Sequence, residues 1–222
     1  MNYRHSPLFP LITLSILFSS CAFNRTLSYR QIDSGVEAPK AAVVIAFHDQ
    51  REQVLSGKEK KTFCGHVNSS AQISYNVQTE DGLPLSTEFA QALSNSMSQK
   101  GGRASWMATE PGWKSDSIVG IFPKGNASRF LLFSINEWEA SALPLFSTIR
   151  YEVRYDLSLK IFDEKGILIA SSGTHGQKQK EEGMAVSMKK MQAYSQEILQ
   201  VVVHELLSKE EVTHGLAMTS DH

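Results

Sequence analysis

The chain has 222 residues, 22 basic and 23 acidic, for a formal net charge of −1. That length suits one domain with a sizeable core. With 41% hydrophobic and 20% charged residues, a disordered chain is excluded. The charge balance, with no like-charge block to break it, removes any general electrostatic case for nucleic-acid binding.

The N-terminus opens with Arg4 and His5, then an apolar run from Leu8 to Phe18 interrupted by Pro10, Thr13 and Ser15. Eleven residues are too few to span a bilayer, which takes about 20. The run therefore reads as the h-region of a signal peptide over residues 1–20. Ser19 and Ser20 lead into Cys21, and small residues before a cysteine resemble a bacterial lipobox. That resemblance implies a diacylglyceryl thioether on Cys21, cleavage before it and acylation of the new amine. Phe18 stands where the lipobox usually has Leu. Ordinary cleavage after Ala22 is the competing reading. One acyl chain binds a membrane only marginally, whereas two or three hold it firmly. Ala22 stands where Asp would favour inner-membrane retention in enteric-type lipoproteins, so the resemblance implies the periplasmic face of the outer membrane.

Residues 21–40 read as the lipidated cysteine and a polar, flexible tether. The domain is expected over 41–208. "AAVVIAF" from Ala41 is a continuous apolar run of strand length, suited to burial on both faces. The polar stretch "HDQREQVLSGKEKKTFCGH" reads as a loop. "AQISYNVQT" alternates Ile73, Tyr75 and Val77 with polar residues, as a half-exposed strand does.

At Leu85 the period changes. Leu85, Phe89, Leu93 and Met97 recur every four residues, along one helical face. Pro84 suits the first turn and Gly101-Gly102 the C-terminal cap, giving a helix of about 15 residues. "GRASWMAT" reads as a short strand. "RFLLFSINEWE" and "TIRYEVRYDLSLKIF" are longer strands. In the second, Ile149, Tyr151, Val153, Tyr155, Leu157, Leu159 and Ile161 share one face, and mainly charged residues share the other. Only a strand with one wet face keeps those sets apart. "DEKG" then turns the chain into "ILIASSGTHG". Met184, Met188, Met191, Ile198, Val202 and Leu206 form the stripe of a long helix over about 182–208, read as core, with insertion into a groove on a partner as the alternative. Residues 209–222 read as a frayed tail.

The expected fold is α+β: a two-layer sandwich with a mostly antiparallel mixed sheet of five or six strands and two helices on one face. The charged face of the 148–160 strand should then meet water or a partner.

Chemistry is sparse. No Gly-rich phosphate loop or G-x-S-x-G elbow is present. His48 and Asp49 adjoin, but neighbours on a strand point to opposite faces, which argues against a shared catalytic site. Cys64 lacks an intrachain partner once Cys21 carries lipid. It reads as a buried small hydrophobe, with a reactive free thiol or an intermolecular disulfide as alternatives. Cys64 and His66 alone are too few ligands for a closed metal site. No catalytic residue, metal or cofactor is assigned.

The string "VVIAFHDQR", a Gly-containing loop, a strand, the helix "LSTEFAQALSNSMSQKGG" and the later "INEW…YEVRYDLSLKIFDEKGILIA" resemble, in layout, the YajG-type and related uncharacterised periplasmic lipoproteins of proteobacteria. The resemblance spans most of 41–208 through short motifs. It implies location and fold class, since the family has no settled activity. Its D-x-R falls on Asp49 and Arg51, read as a pair closing the loop, and Gly65 matches a glycine of that loop. The function expected is a membrane-anchored envelope lipoprotein with a non-catalytic binding or accessory role in assembly or transport, engaging an envelope protein. A periplasmic hydrolase acting on envelope material is the alternative.

Overall fold

A computed structural model describes residues 25–35, 39–122 and 127–217. In chain order the elements are β1 (Thr26–Leu27), β2 (Val43–Asp49), α1 (Glu52–Leu55), β3 (Phe63–Asn68), β4 (Ser74–Thr79), α2 (Leu85–Gln99) and β5 (Ala104–Trp106). They continue with α3 (Ser115–Gly120), β6 (Arg129–Pro144), β7 (Ile149–Asp163), β8 (Leu168–Glu182), α4 (Met188–Leu207) and α5 (Glu210–Ala217).

The class is α+β, with a larger and more mixed sheet than the sequence reading expects. Among the described residues, eight strands form one sheet. The three long strands β6, β7 and β8 pair antiparallel as a meander. The other side of the sheet adds parallel pairs, β2 with β5 and β6, and β3 with β6. The α2 crossover returns the chain so that β5 pairs parallel to β2.

One face carries the main core. The seven alternating apolar residues of β7 are all buried there, each side chain contributing roughly 1.5–3 kcal/mol. Leu85, Phe89, Leu93 and Met97 of α2 join them, as do Met191, Ile198, Val202 and Leu206 of α4. The two long helices thus share one face of the sheet. A smaller cluster sits on the opposite face at one end, where Ile118 of α3 meets Val44, Ala46, Phe130 and Leu132. The alternate residues of β2 and β6 supply both clusters, as a strand buried on two sides requires.

Helix α2 ends as its glycines predict. The Gly101 amide donates to Ser98 O and the Gly102 amide to Met97 O, with Gly101 at φ +85°. Helix α4 begins at Met188, later than expected. Ser187 caps it by accepting from the Lys190 amide, and Met184 lies outside it, 90% exposed. Strand β8 takes up the difference. It runs on through Glu182 as an edge strand with a polar, lysine-bearing tail, a sequence suited to an unpaired edge.

Three further corrections concern segments read as irregular. Residues 25–35 are not a tether. Leu27, Tyr29 and Ile32 enter the core, and β1 pairs with β4. Polar side chains of α2 and α4 hold their backbone: Ser96 Oγ accepts from the Ser34 amide, and Gln196 Nε2 donates to Ser28 O. Of the stretch 48–66 read as a loop, His48 and Asp49 finish β2, Glu52–Leu55 form the single turn α1, and β3 begins at Phe63. Of the tail, Glu210–Ala217 form α5, where Val212 is buried.

Candidate functional site

Strand β6 is longer than any neighbour on its β2/β3 side. On that edge β2 covers Arg129–Ile135 and β3 covers Ala140–Ala142. Around residues 136–139 neither strand pairs with it, and β6 bulges against β7 between Ile135 and Glu137. Backbone groups left in such a seam need partners. Arg51 supplies them from the turn that follows β2. Its Nη1 donates to Trp138 O at 3.3 Å and to Phe63 O at 2.8 Å. Its Nε and Nη2 donate to the two carboxylate oxygens of Asp49, at 2.9 and 2.7 Å. Both side chains are fully buried. The D-x-R motif is thus a structural clamp where one strand hands over to the next.

Gly65 belongs to the same seam. A Cβ there would stand 1.7 Å from Ala140 O, so only glycine lets β3 approach β6 this closely. Behind it, Trp138 Nε1 donates to Tyr29 Oη at 3.0 Å, and the Tyr29 amide donates to Glu88 Oε2 at 3.0 Å. Burial pushes the Glu88 carboxyl above its ordinary range, against the Tyr29 amide and Arg30, which favour its charge. The same burial drives the Cys64 thiol far up, and its Sγ donates to Val77 O at 3.4 Å. Cys64 is a free, fully buried thiol.

The sheet's other face carries a polar network. His66 Nδ1 lies 3.1 Å from Glu139 Oε1, and Arg154 Nη2 reaches Glu139 Oε2 at 2.9 Å. Glu137 and Glu152 flank Arg154 at 3.7 and 3.9 Å. This is the charged face of β7 that the alternation predicts. His48 is beside Gln50, and burial lowers its pKa against the opposing charge of Asp49. The candidates do not converge. His48 pairs in register with Ser134 and His66 with Ser141, seven β6 residues apart, or roughly 20 Å. Asp49 faces the opposite side, against Arg51. Among the described residues no three or more His, Cys, Asp or Glu side chains group to hold a metal ion.

The feature that sequence reading missed is an open cleft of about 600 Å³ at one end of the long strands. The β6–β7 turn forms one wall, with Leu145, Phe146 and Ile149. The β8–α4 loop forms another, with Met184 and Val186. Val67, Tyr75 and the serines of the β3–β4 turn also line it, and Arg25 lays its guanidinium 3.9 Å from the Tyr75 ring centre. Phe146 projects fully into solvent, and Ile73 of the β3–β4 turn is 53% exposed. A loop aromatic without periodicity gives no sequence signal, and Met184 falls in phase with the helix stripe. Cys21 lies outside the described residues.

The chain matches no family model. It matches no curated protein either. Solved structures give low-scoring likenesses. One is an uncharacterized protein, TM-score 0.39 and 12% identity, covering 77% of this chain and 93% of that one. Another is described as a homolog of the neuraminyllactose-binding hemagglutinin from Helicobacter pylori, TM-score 0.39 and 14% identity, covering 81% and 92%. A third is lipoprotein GNA1162 from Neisseria meningitidis, TM-score 0.27 and 11% identity, covering 73% and 97%. No residue of this chain takes a role from them.

Proposed function

We propose that this chain is a lipid-anchored envelope protein of the YajG-type kind, acylated on Cys21 and held at the periplasmic face of the outer membrane. Its role is non-catalytic: it binds an envelope protein as an accessory of assembly or transport. The observation that carries this reading is the start of the folded body. Thr26 and Leu27 already pair with β4, five residues after the lipobox cysteine. The anchor therefore holds the body close to the membrane. No helix of the described residues is long and apolar enough to cross a bilayer.

The protein partner meets the open polar face of β6 and β7, where Glu137, Glu139, Glu152 and Arg154 interlock. A hydrolase reading has less support, because His48, Asp49 and His66 are spread over two faces and roughly 20 Å. The test is recovery of partners from detergent-solubilised envelopes. A stoichiometric protein should co-purify with the native chain and be lost with Arg154→Glu, whose circular dichroism stays native. Repeated recovery of the chain alone contradicts the reading.

A further inference from the structure

We infer that the cleft end of the molecule docks on the phospholipid surface, with Phe146 and Met184 inserted among the acyl chains and Arg25 at headgroup phosphates. The inference rests on the lipid anchor proposed above and names the surface against which the anchor holds the body.

The argument starts from chain length. Arg25 stands four positions after Cys21, so the two lie within about 14 Å of each other even when fully extended. The diacylglyceryl group on Cys21 fixes one end of that segment at the bilayer surface. A polar headgroup layer is roughly 5–8 Å thick, so the reach leaves Arg25 at or just above it. Arg25 lines the cleft, and therefore the cleft sits there too.

The composition of that end fits a lipid surface. Phe146, at the tip of the β6–β7 turn, and Met184, in the β8–α4 loop, are 108% and 90% exposed. They are the two most exposed large hydrophobic residues among those described. Both line the cleft that holds Arg25. Two exposed apolar side chains and a cation lining one cleft match an interface that is wet at the headgroups and dry beneath. The opposite end of the meander offers a control. Ile167, in the β7–β8 turn, is 58% exposed but lies a strand of 15 residues away, roughly 50 Å.

The test uses the full-length protein, purified from membranes and reconstituted into vesicles of phosphatidylethanolamine and phosphatidylglycerol. Single variants Phe146→Cys, Met184→Cys and Ile167→Cys carry a nitroxide label; buried Cys64 does not compete for it. Collision rates with oxygen and with a water-soluble nickel chelate give the depth of each label. The oxygen-to-nickel ratio should rise at least about fivefold at 146 and 184 relative to 167. Equal, water-like ratios at all three sites on acylated, vesicle-bound protein overturn the docking and leave the anchor standing. Shielding of 146 and 184 from both reagents indicates a second copy on the cleft and also overturns it. An unacylated mass that fails to float with vesicles overturns the anchor, and the docking falls with it.

Discussion

Arg51 grips Asp49 with two hydrogen bonds, at 2.9 and 2.7 Å, at zero exposure, while its remaining terminal nitrogen serves the carbonyls of Phe63 and Trp138. Two residues that look like loop chemistry in sequence are thus the closure of a seam between three strands. Asp49→Ala leaves the guanidinium buried without its counter-charge. The expected loss is about 3–5 kcal/mol in urea unfolding followed by tryptophan fluorescence. The double variant Asp49→Ala, Arg51→Met should recover part of that loss. It should still fall short of the native chain by about 1–3 kcal/mol, because the two carbonyls lose their donor. A loss under about 1 kcal/mol for Asp49→Ala would show that the clamp is dispensable.

Gly65→Ala tests the strand contact beside the clamp. The added methyl meets Ala140 O at 1.7 Å and forces β3 from β6. A cost of about 3 kcal/mol or more is expected. Gly57→Ala serves as the comparison. Its Cβ meets nothing within 4 Å, so only the left-handed φ of +75° resists, at about 1–2 kcal/mol. Equal costs would mean that conformation, not the approach of two strands, explains Gly65.

The meander was legible because its pattern is local. Seven apolar residues at period two leave β7 no alternative to a half-buried strand, and Leu85 to Met97 with Pro84 and Gly101 define α2 equally well. What was not legible depends on distant partners. Leu27 and Tyr29 stand among polar residues, and the segment packs through groups far along the chain, the side chains of Glu88, Gln192 and Gln196 among them. The polar tail of β8 reads as loop until β7 pairs with it across its whole length. The candidate cleft is assembled from five separate segments, so no single stretch announces it.

Glu88 makes stability depend on pH. Its folded-state pKa is raised, so its contribution is fully present below the unfolded value of about 4.5 and is lost as pH rises through the folded value. Glu88→Gln removes that loss. The variant's stability relative to the native chain should therefore increase from pH 4 to pH 8 in parallel urea titrations. A difference that is flat across this range would mean that the carboxyl ionises in the fold at no cost.

Cys64 should be inert in the folded protein. Its burial holds the thiol protonated, and the thiolate is the species that reacts. Ellman's reagent should modify Cys64 only at the rate of unfolding, with full reaction in denaturant. Rapid modification under native conditions would show that the β3 region opens readily.

The lipid on Cys21 is tested most directly by the intact mass and membrane fractionation of the native chain beside Cys21→Ser. The native protein should sediment with membranes, begin at residue 21 and carry the mass of a diacylglyceryl group and an amide-linked chain; the serine variant should keep its leader and gain no acyl mass. A serine variant that still loses the leader at the same bond and still partitions with membranes would contradict the account.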